Sequence, residues 1–187
     1  MQPHKFILLG ASTGGPGHIE HIITSLPEDF DAVLIIAQHM GDEYLGSFAA
    51  RLNKASKLPV TLAQNGESIR NGSVYICTRH CEIRNSTYPE FSVTQNTMSR
   101  YNPDINALFS SAECLKEQEL LAIIMTGIGD DGVEGMQKLN QKKVKRIAES
   151  EATAIVYGMP MRAAEVIENI LICSLDEIIE EIKRFGA

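Results

Sequence analysis

Short apolar runs alternate along this chain with segments in which apolar residues recur at helical spacing. Residues 6–9 predict a buried strand, and the apolar positions of 19–26 predict a helix after it. Residues 33–37 and 45–52 repeat this strand-then-helix pattern. Strands that are buried on both faces have continuous apolar sequences, and helices between them indicate parallel connections. The pattern therefore predicts an α/β fold with a mainly parallel sheet.

Residues 60–100 interrupt this alternation. Two Asn-Gly pairs, at 65–66 and 71–72, are turn signals, and the runs at 74–76 and 91–94 have strand composition. We expect these two runs to form a small antiparallel excursion from the main sheet.

After Pro103 the alternation resumes. The expected elements are a helix over 105–115, a strand over 120–125, a helix over 133–139 and short strands near 144–148 and 170–173. The last helix begins with a capping box, Ser174 with Glu177, ahead of one apolar face. Since the chain contains no internal repeat or linker, we expect one doubly wound α/β domain over residues 1–187.

Composition and charge narrow the classes of function. The 187 residues are 44% hydrophobic and 22% charged, as is ordinary for a soluble globular domain. No apolar run approaches the roughly 20 residues that span a bilayer, and no signal peptide is evident, so we expect a cytoplasmic protein without membrane insertion. The formal net charge of -7 argues against a nucleic-acid partner and means that docking to an acidic protein needs a local basic patch. Arg51, Lys54 and Lys57 are candidates for that patch, but a solvated helix face is the favoured explanation.

The four cysteines, at positions 77, 81, 114 and 173, are scattered along the chain. We expect reduced, mostly buried thiols, as is usual for an intracellular protein. Cys77, His80 and Cys81 leave the alternative of a metal site, but a fourth ligand is not evident. The prediction is therefore no metal.

Polar side chains follow the ends of three predicted strands. Ser12 lies in the glycine-rich turn after the first strand, His39 follows the second, and Asp130 and Asp131 follow the strand over 120–125. In an open parallel sheet these strand ends lie along one edge, where the active crevice forms. A serine becomes a nucleophile when a neutral imidazole takes its proton, and a buried carboxylate holds that imidazole in the required tautomer. These positions therefore indicate an esterase-type triad.

Each of these residues also has a purely structural explanation. Ser12 and either aspartate are good helix caps, and His39 is an ordinary polar residue at a strand end. The pattern alone does not decide between Asp130 and Asp131. The glycines at 127, 129 and 132 leave backbone N–H groups exposed, and these groups are candidates for an oxyanion hole.

Nucleotide binding is the competing chemistry for the first turn. The sequence of 10–14 resembles the glycine-rich turn of short-chain dehydrogenases, but Pro16 replaces their last glycine and His39 stands where a ribose-binding acid is needed. No Tyr is followed four residues later by Lys, and no Gly-Lys-Ser/Thr follows the turn. Both a dehydrogenase and a P-loop protein are disfavoured.

Four sequence blocks carry a more specific signal. They are Gly10-Ala11-Ser12-Thr13-Gly14-Gly15, Gln38-His39-Met40, Thr126-Gly127-Ile128-Gly129-Asp130-Asp131-Gly132 and Val156-Tyr157-Gly158-Met159-Pro160. In this order they resemble the signature blocks of the chemotaxis protein-glutamate methylesterase family, CheB, over nearly the whole chain. The resemblance implies a three-layer α/β/α fold and hydrolysis of glutamate γ-methyl esters to carboxylate and methanol. Some members also deamidate receptor glutamines.

The resemblance assigns a role to each site residue. Ser12 matches the family nucleophile, His39 the base and Asp131 the orienting acid, so it selects the second of the two aspartates. The backbone N–H groups of Thr13 and Ile128 match the oxyanion donors. The resemblance implies no cofactor, and it implies as partner the cytoplasmic helical region of a methyl-accepting chemotaxis receptor.

Two segments depart from the family pattern. The usual Pro-Gly turn reads Cys-Thr-Arg-His over 77–80, and the usual His-Arg-Pro-Ser-Val-Asp reads Tyr-Asn-Pro-Asp-Ile-Asn over 101–106. Both are candidates to line the substrate cleft, which leaves receptor fit and deamidation open. We also expect this chain to lack the family's receiver domain, because its first strand begins near residue 5. The rival functions are a non-catalytic receptor-binding module and a related hydrolase of another ester or amide.

Overall fold

A parallel β-sheet forms the centre of the protein in a computed structural model, which describes residues 3–85, 87–95, 98–139 and 144–187. Over these ranges the strands are β1 (Lys5–Ala11), β2 (Val33–Gln38), β3 (Val60–Leu62), β4 (Val74–Ile76), β5 (His80–Asn85), β6 (Pro89–Thr94), β7 (Glu119–Ile124), β8 (Val144–Glu149) and β9 (Leu171–Cys173). The main sheet has the order β3-β4-β2-β1-β7-β8-β9, and every neighbouring pair in it is parallel. β5 and β6 form a separate antiparallel pair.

Helices cover both faces of this sheet. They are α1 (Gly15–Ser25), α2 (Asp42–Ala55), α3 (Ile105–Ser111), α4 (Val133–Lys138), α5 (Met159–Val166) and α6 (Leu175–Phe185). Successive residues of a strand point to opposite faces, so Phe6 and Leu8 of β1 pack in the core with α3, α4 and α5. Ile7 and Leu9 pack in the core on the other face with α1, α2 and α6. The α/β/α fold expected from the sequence is confirmed.

The final helix shows how local sequence sets a helix end. Ser174 Oγ accepts the Glu177 N–H, and Glu177 Oε2 accepts the Ser174 N–H at 2.7 Å, which is the expected capping box. The apolar face of α6 is buried through Ile178, Ile179 and Ile182. Among the described residues, every helix is too short or too polar to cross a bilayer.

Residues 74–76 belong to the main sheet, and their assignment to the antiparallel excursion was wrong. β4 pairs in parallel with β2 on one side and with β3 on the other. It is buried throughout, as central strands of a parallel sheet are. The antiparallel partner of β6 is β5, a strand of alternating burial that the sequence analysis did not identify.

Candidate active site

Ser12 lies in the tight turn between β1 and α1, at the carboxyl edge of the sheet. Its N–H donates to the Thr126 carbonyl in the loop after β7 (2.9 Å), and its carbonyl accepts the Gly15 N–H (2.9 Å). Gly14 closes the turn at φ 86°, a left-handed conformation that glycine adopts without strain. These features fix the Ser12 backbone between two strand ends and leave its side chain half-buried.

His39 follows β2 and lies beside Ser12. The His39 N–H donates to the Ala11 carbonyl at 2.9 Å. Buried Gln38 donates through Nε2 to the carbonyls of both Ser12 (2.9 Å) and His39 (3.0 Å). These bonds bring the two residues to one edge of the sheet. The Ser12 hydroxyl itself makes no hydrogen bond to a residue that the structure describes.

Asp131 is fully buried and contacts the His39 imidazole, with 2.6 Å between Oδ2 and Nε2. Its Oδ2 also accepts the Ile105 N–H (2.9 Å), and its Oδ1 accepts the Asn106 N–H (3.0 Å) at the start of α3. Three donors therefore surround the carboxylate. Because an ionised carboxylate can only accept, we assign the imidazole proton to Nε2, which leaves Nδ1 as the accepting nitrogen.

Asp130 is exposed and has a different partner, the Tyr101 hydroxyl, which donates to its Oδ1 at 3.3 Å. The Tyr101 ring stacks on His39 with 5.0 Å between ring centroids and 5° between planes. Burial raises the pKa of the Tyr101 hydroxyl, Arg100 opposes that effect, and Asp130 adds to it. Of the two aspartates, Asp131 thus contacts the His39 imidazole. Asp130 instead accepts a hydrogen bond from Tyr101, whose ring stacks on that imidazole.

Some of the backbone N–H groups near Ser12 already donate hydrogen bonds within the protein. Gly127 N–H donates to a backbone carbonyl ahead of α5 (3.0 Å), and Gly132 N–H donates to a side-chain amide oxygen (3.0 Å). The expectation that these two glycines supply oxyanion donors was wrong, because their N–H groups are already paired. In the described part of the chain, the N–H groups of Thr13 and Ile128 have no acceptor. They are therefore available to a ligand.

A buried network supports the Ser12 turn from inside the protein. Glu149, fully buried at the end of β8, accepts the Thr126 N–H (2.9 Å) and the Thr153 hydroxyl (2.9 Å). Thr126 accepts the Ser12 N–H and donates through Oγ1 to the Thr13 carbonyl at 2.8 Å. Sequence reasoning missed this network. The sequence signal that could have indicated it is Glu149, an acidic residue directly after the apolar end of the strand predicted near 144–148.

The cysteines are free thiols, with Cys77 and Cys81 buried and the other two half-buried. Burial raises the pKa of the thiols of Cys77, Cys114 and Cys173, which favours their protonated form. Over the described ranges, no three His, Cys, Asp or Glu side chains are grouped in a way that fits a metal ion. The alternative of a metal site at Cys77, His80 and Cys81 therefore gains no support.

Comparison with known proteins agrees with the fold and the sequence blocks. The CheB methylesterase family model matches residues 7–182. A protein-glutamate methylesterase/protein-glutamine glutaminase of Lawsonia intracellularis is 38% identical over 180 residues, which cover 94% of this chain and 50% of that protein. A protein of the same name from Bacillus subtilis is 39% identical over 166 residues, covering 86% of this chain and 46% of the relative. The chain spans about half the length of these relatives.

A solved structure is similar over almost the whole chain. The crystal structure of the Thermotoga maritima CheB methylesterase catalytic domain superimposes with a TM-score of 0.87 at 30% sequence identity. The match covers 96% of this chain and 97% of that one. The chain therefore belongs to the CheB methylesterase family.

Proposed function

We propose that this chain hydrolyses glutamate γ-methyl esters on methylated chemotaxis receptors, and that Ser12, His39 and Asp131 carry the reaction. The proposal depends above all on the 2.6 Å contact between His39 and Asp131 at the sheet edge that also carries Ser12. Relatives named protein-glutamate methylesterase/protein-glutamine glutaminase support the substrate class.

The proposed reaction begins with attack of Ser12 Oγ on the ester carbonyl. His39 Nδ1 takes the hydroxyl proton, and Asp131 stabilises the imidazolium that forms. The N–H groups of Thr13 and Ile128 stabilise the negative oxygen of the tetrahedral intermediate. The imidazolium then returns the proton to the methoxy oxygen, methanol leaves, and Ser12 carries the glutamyl group as an ester.

Water completes the proposed cycle. His39 takes a proton from a water molecule that attacks the acyl-enzyme, and it returns that proton to Ser12 Oγ as the γ-carboxylic acid leaves. The acid then releases its proton to solvent and becomes the glutamate carboxylate. Formation of the hydrogen bond from Ser12 Oγ to His39 Nδ1 on substrate binding is part of the proposal, since such bonds often tighten only in the complex. A primary amide fits the same cycle with ammonia as leaving group, and the glutaminase part of the relatives' names favours this second activity.

Methanol release from membranes that contain methylated receptors tests the proposal. Ser12→Ala should reduce turnover by at least about 10⁴-fold, because the nucleophile is lost. Ser47→Ala removes an exposed hydroxyl on α2 and is the matched control. Turnover that persists in Ser12→Ala would mean that Ser12 is not the nucleophile.

Two further outcomes of this assay distinguish the rival functions. Receptor binding without methanol release would favour a non-catalytic module. Turnover restricted to esters or amides that do not occur on receptors would favour a related hydrolase.

A further inference from the structure

A polar cavity of about 260 Å³ lies next to the candidate active site. Tyr101 lines this cavity, and its ring also stacks on His39 at 5.0 Å. The charged residues of the wall include two arginines, Arg79 and Arg100, and one acid, Asp42. One of these cations, Arg100, is two side-chain contacts from the imidazole, because it lies over the Tyr101 ring that stacks on His39. The proposed reaction makes no use of either arginine.

Arg79 has an unusual backbone for its residue type. Its φ of 52° lies in the left-handed region, where a residue with a side chain is strained and glycine is not. Its Nε lies 3.4 Å from Asp42 Oδ2, and both side chains are about half exposed. A guanidinium has five N–H donors, and this contact uses one of them. Arg79 thus retains donors for a further acceptor.

Arg100 is placed on an aromatic ring instead of beside a carboxylate. Its guanidinium carbon lies 5.1 Å from the centre of the Tyr101 ring. No carboxylate among the residues that the structure describes forms an ion pair with it. Stacking of this kind orients the planar guanidinium while its N–H donors stay available at the edge.

We propose that this cavity binds the carboxylate of an acidic side chain near the methyl ester on the same receptor segment. The inference rests on the proposed function, since it concerns the substrate of that site. Arginine pairs with carboxylates through forked, charge-assisted hydrogen bonds. Because the whole chain carries a net charge of -7, attraction of an acidic segment depends on local cations. Arg51, one of the candidates for a basic patch, is already paired with Glu20 at 3.4 Å.

Helical peptides that carry one glutamate γ-methyl ester provide the test. One set has glutamate, and the other glutamine, at the third and fourth positions on each side of the ester, which places these neighbours on the same helix face. We expect wild type to prefer the acidic set in kcat/KM by on the order of fivefold at low salt. The preference should weaken at high salt, because these charges are exposed.

Variants of the cavity should change this preference in opposite directions. Arg79→Gln and Arg100→Gln should each reduce it, and the double variant should abolish it. Asp42→Asn should increase it, because a competing carboxylate is removed from Arg79. Arg84→Gln removes an exposed arginine of β5 that does not line the cavity, and it should leave the preference unchanged.

Binding of the same peptides to Ser12→Ala, followed by fluorescence anisotropy, separates this inference from the proposed function. Equal binding of the acidic and neutral sets, or an acid preference that survives the double arginine variant, would overturn the assignment of the cavity. An acid preference in binding that the double variant loses supports the assignment even if wild type releases no methanol. In that case the proposed function alone fails.

Discussion

The imidazole of His39 and the carboxylate of Asp131 lie 92 positions apart in the chain and meet with 2.6 Å between Nε2 and Oδ2. They meet because β2 and β7 flank β1 in a parallel sheet, so the loops after these strands leave the same edge. Asp131 is also held by the N–H groups of Ile105 and Asn106. The orientation of the imidazole therefore depends on the first turn of α3.

Substitution of the two adjacent aspartates should have unequal effects. Asp131→Asn should lower kcat for methanol release by about 10⁴-fold, because an amide no longer holds His39 in the required tautomer. Asp130→Asn is the matched control and should stay close to wild type, since Asp130 contacts Tyr101 and not His39. Initial rates at saturating substrate measure both. An impaired Asp130→Asn beside an active Asp131→Asn would mean that the assignment of the acid is wrong.

The sequence predicted the centre of the fold better than its edges. β1, β2 and β7 contain continuous apolar runs, and the helical patterns between them indicate buried parallel strands. The three residues of β4 are too few to show a period, and the adjacent Asn-Gly pair at 71–72 suggested a hairpin instead of a crossover. Likewise, strand ends identified Ser12 and His39, but no spacing in the sequence encodes contacts such as Glu149 with Thr126.

Tyr101 should act on His39 through its ring and not through its hydroxyl. Tyr101→Leu removes the stacked ring, whose interaction is worth about 0.5–1.5 kcal/mol, so kcat should fall by up to about tenfold. Tyr101→Phe keeps the ring and loses only the hydrogen bond to Asp130, so its kcat should match wild type. Steady-state rates of the two variants decide between these effects. A fall in kcat for Tyr101→Phe as large as for Tyr101→Leu would assign the role to the hydroxyl.

The Tyr101 hydroxyl should lose its proton at a higher pH than an ordinary tyrosine does. Because burial raises the pKa of Tyr101, with Asp130 acting in the same direction, the phenol should stay protonated above its usual range near pH 10. The ultraviolet titration of wild type minus that of Tyr101→Phe isolates this single group. A midpoint at or below the usual value would contradict the burial of the ring seen here.

Glu149 and His18 should be energetically coupled. Glu149 Oε1 lies 3.2 Å from His18 Nδ1, out of line for a hydrogen bond, and both side chains are largely buried. Glu149→Leu should reduce the free energy of unfolding by about 1–3 kcal/mol, because the Thr126 N–H loses its acceptor. The double variant Glu149→Leu with His18→Leu should lose less free energy of unfolding than the two single variants lose together. The reason is that the double variant removes both side chains, so neither is left buried without its partner. Urea unfolding of wild type, the two single variants and the double variant measures these free energies. Additive effects of the two substitutions would mean that the residues are not coupled.

Two glycines should respond oppositely to alanine. A Cβ at Gly127 would lie 2.6 Å from the Cβ of Ser12 and would also collide with the Met159 sulfur. Gly127→Ala should therefore destabilise the fold by about 1–3 kcal/mol and reduce turnover by displacing the Ser12 turn. A Cβ at Gly17, in α1, would meet no atom within 4 Å, so Gly17→Ala should stabilise the protein by about 0.5–1 kcal/mol without loss of activity. Thermal unfolding and methanol release test both variants. Full activity in Gly127→Ala would contradict the prediction, because it would show that the Ser12 turn accommodates the added methyl group.

Lys145 of β8 and Glu181 of α6 should make stability depend on pH in the acid range. The hydrogen bond from Lys145 lowers the pKa of Glu181 below its ordinary value. A carboxyl group whose pKa is lower in the folded state stabilises that state above its unfolded pKa of about 4.3, and the contribution is lost as pH falls through the folded value. Glu181→Gln should therefore lower the free energy of unfolding by about 0.2–1 kcal/mol at neutral pH.

The difference between wild type and Glu181→Gln should shrink below the unfolded pKa of the carboxyl group, since protonation then removes the same interaction. Glu180→Gln, which alters an exposed neighbour that pairs with Lys183 on the same helix, is the control and should show a smaller effect at neutral pH. Urea unfolding across the acid and neutral range measures both variants. A Glu181→Gln difference that is constant over this range would mean that Lys145 does not bind the ionised carboxylate in solution.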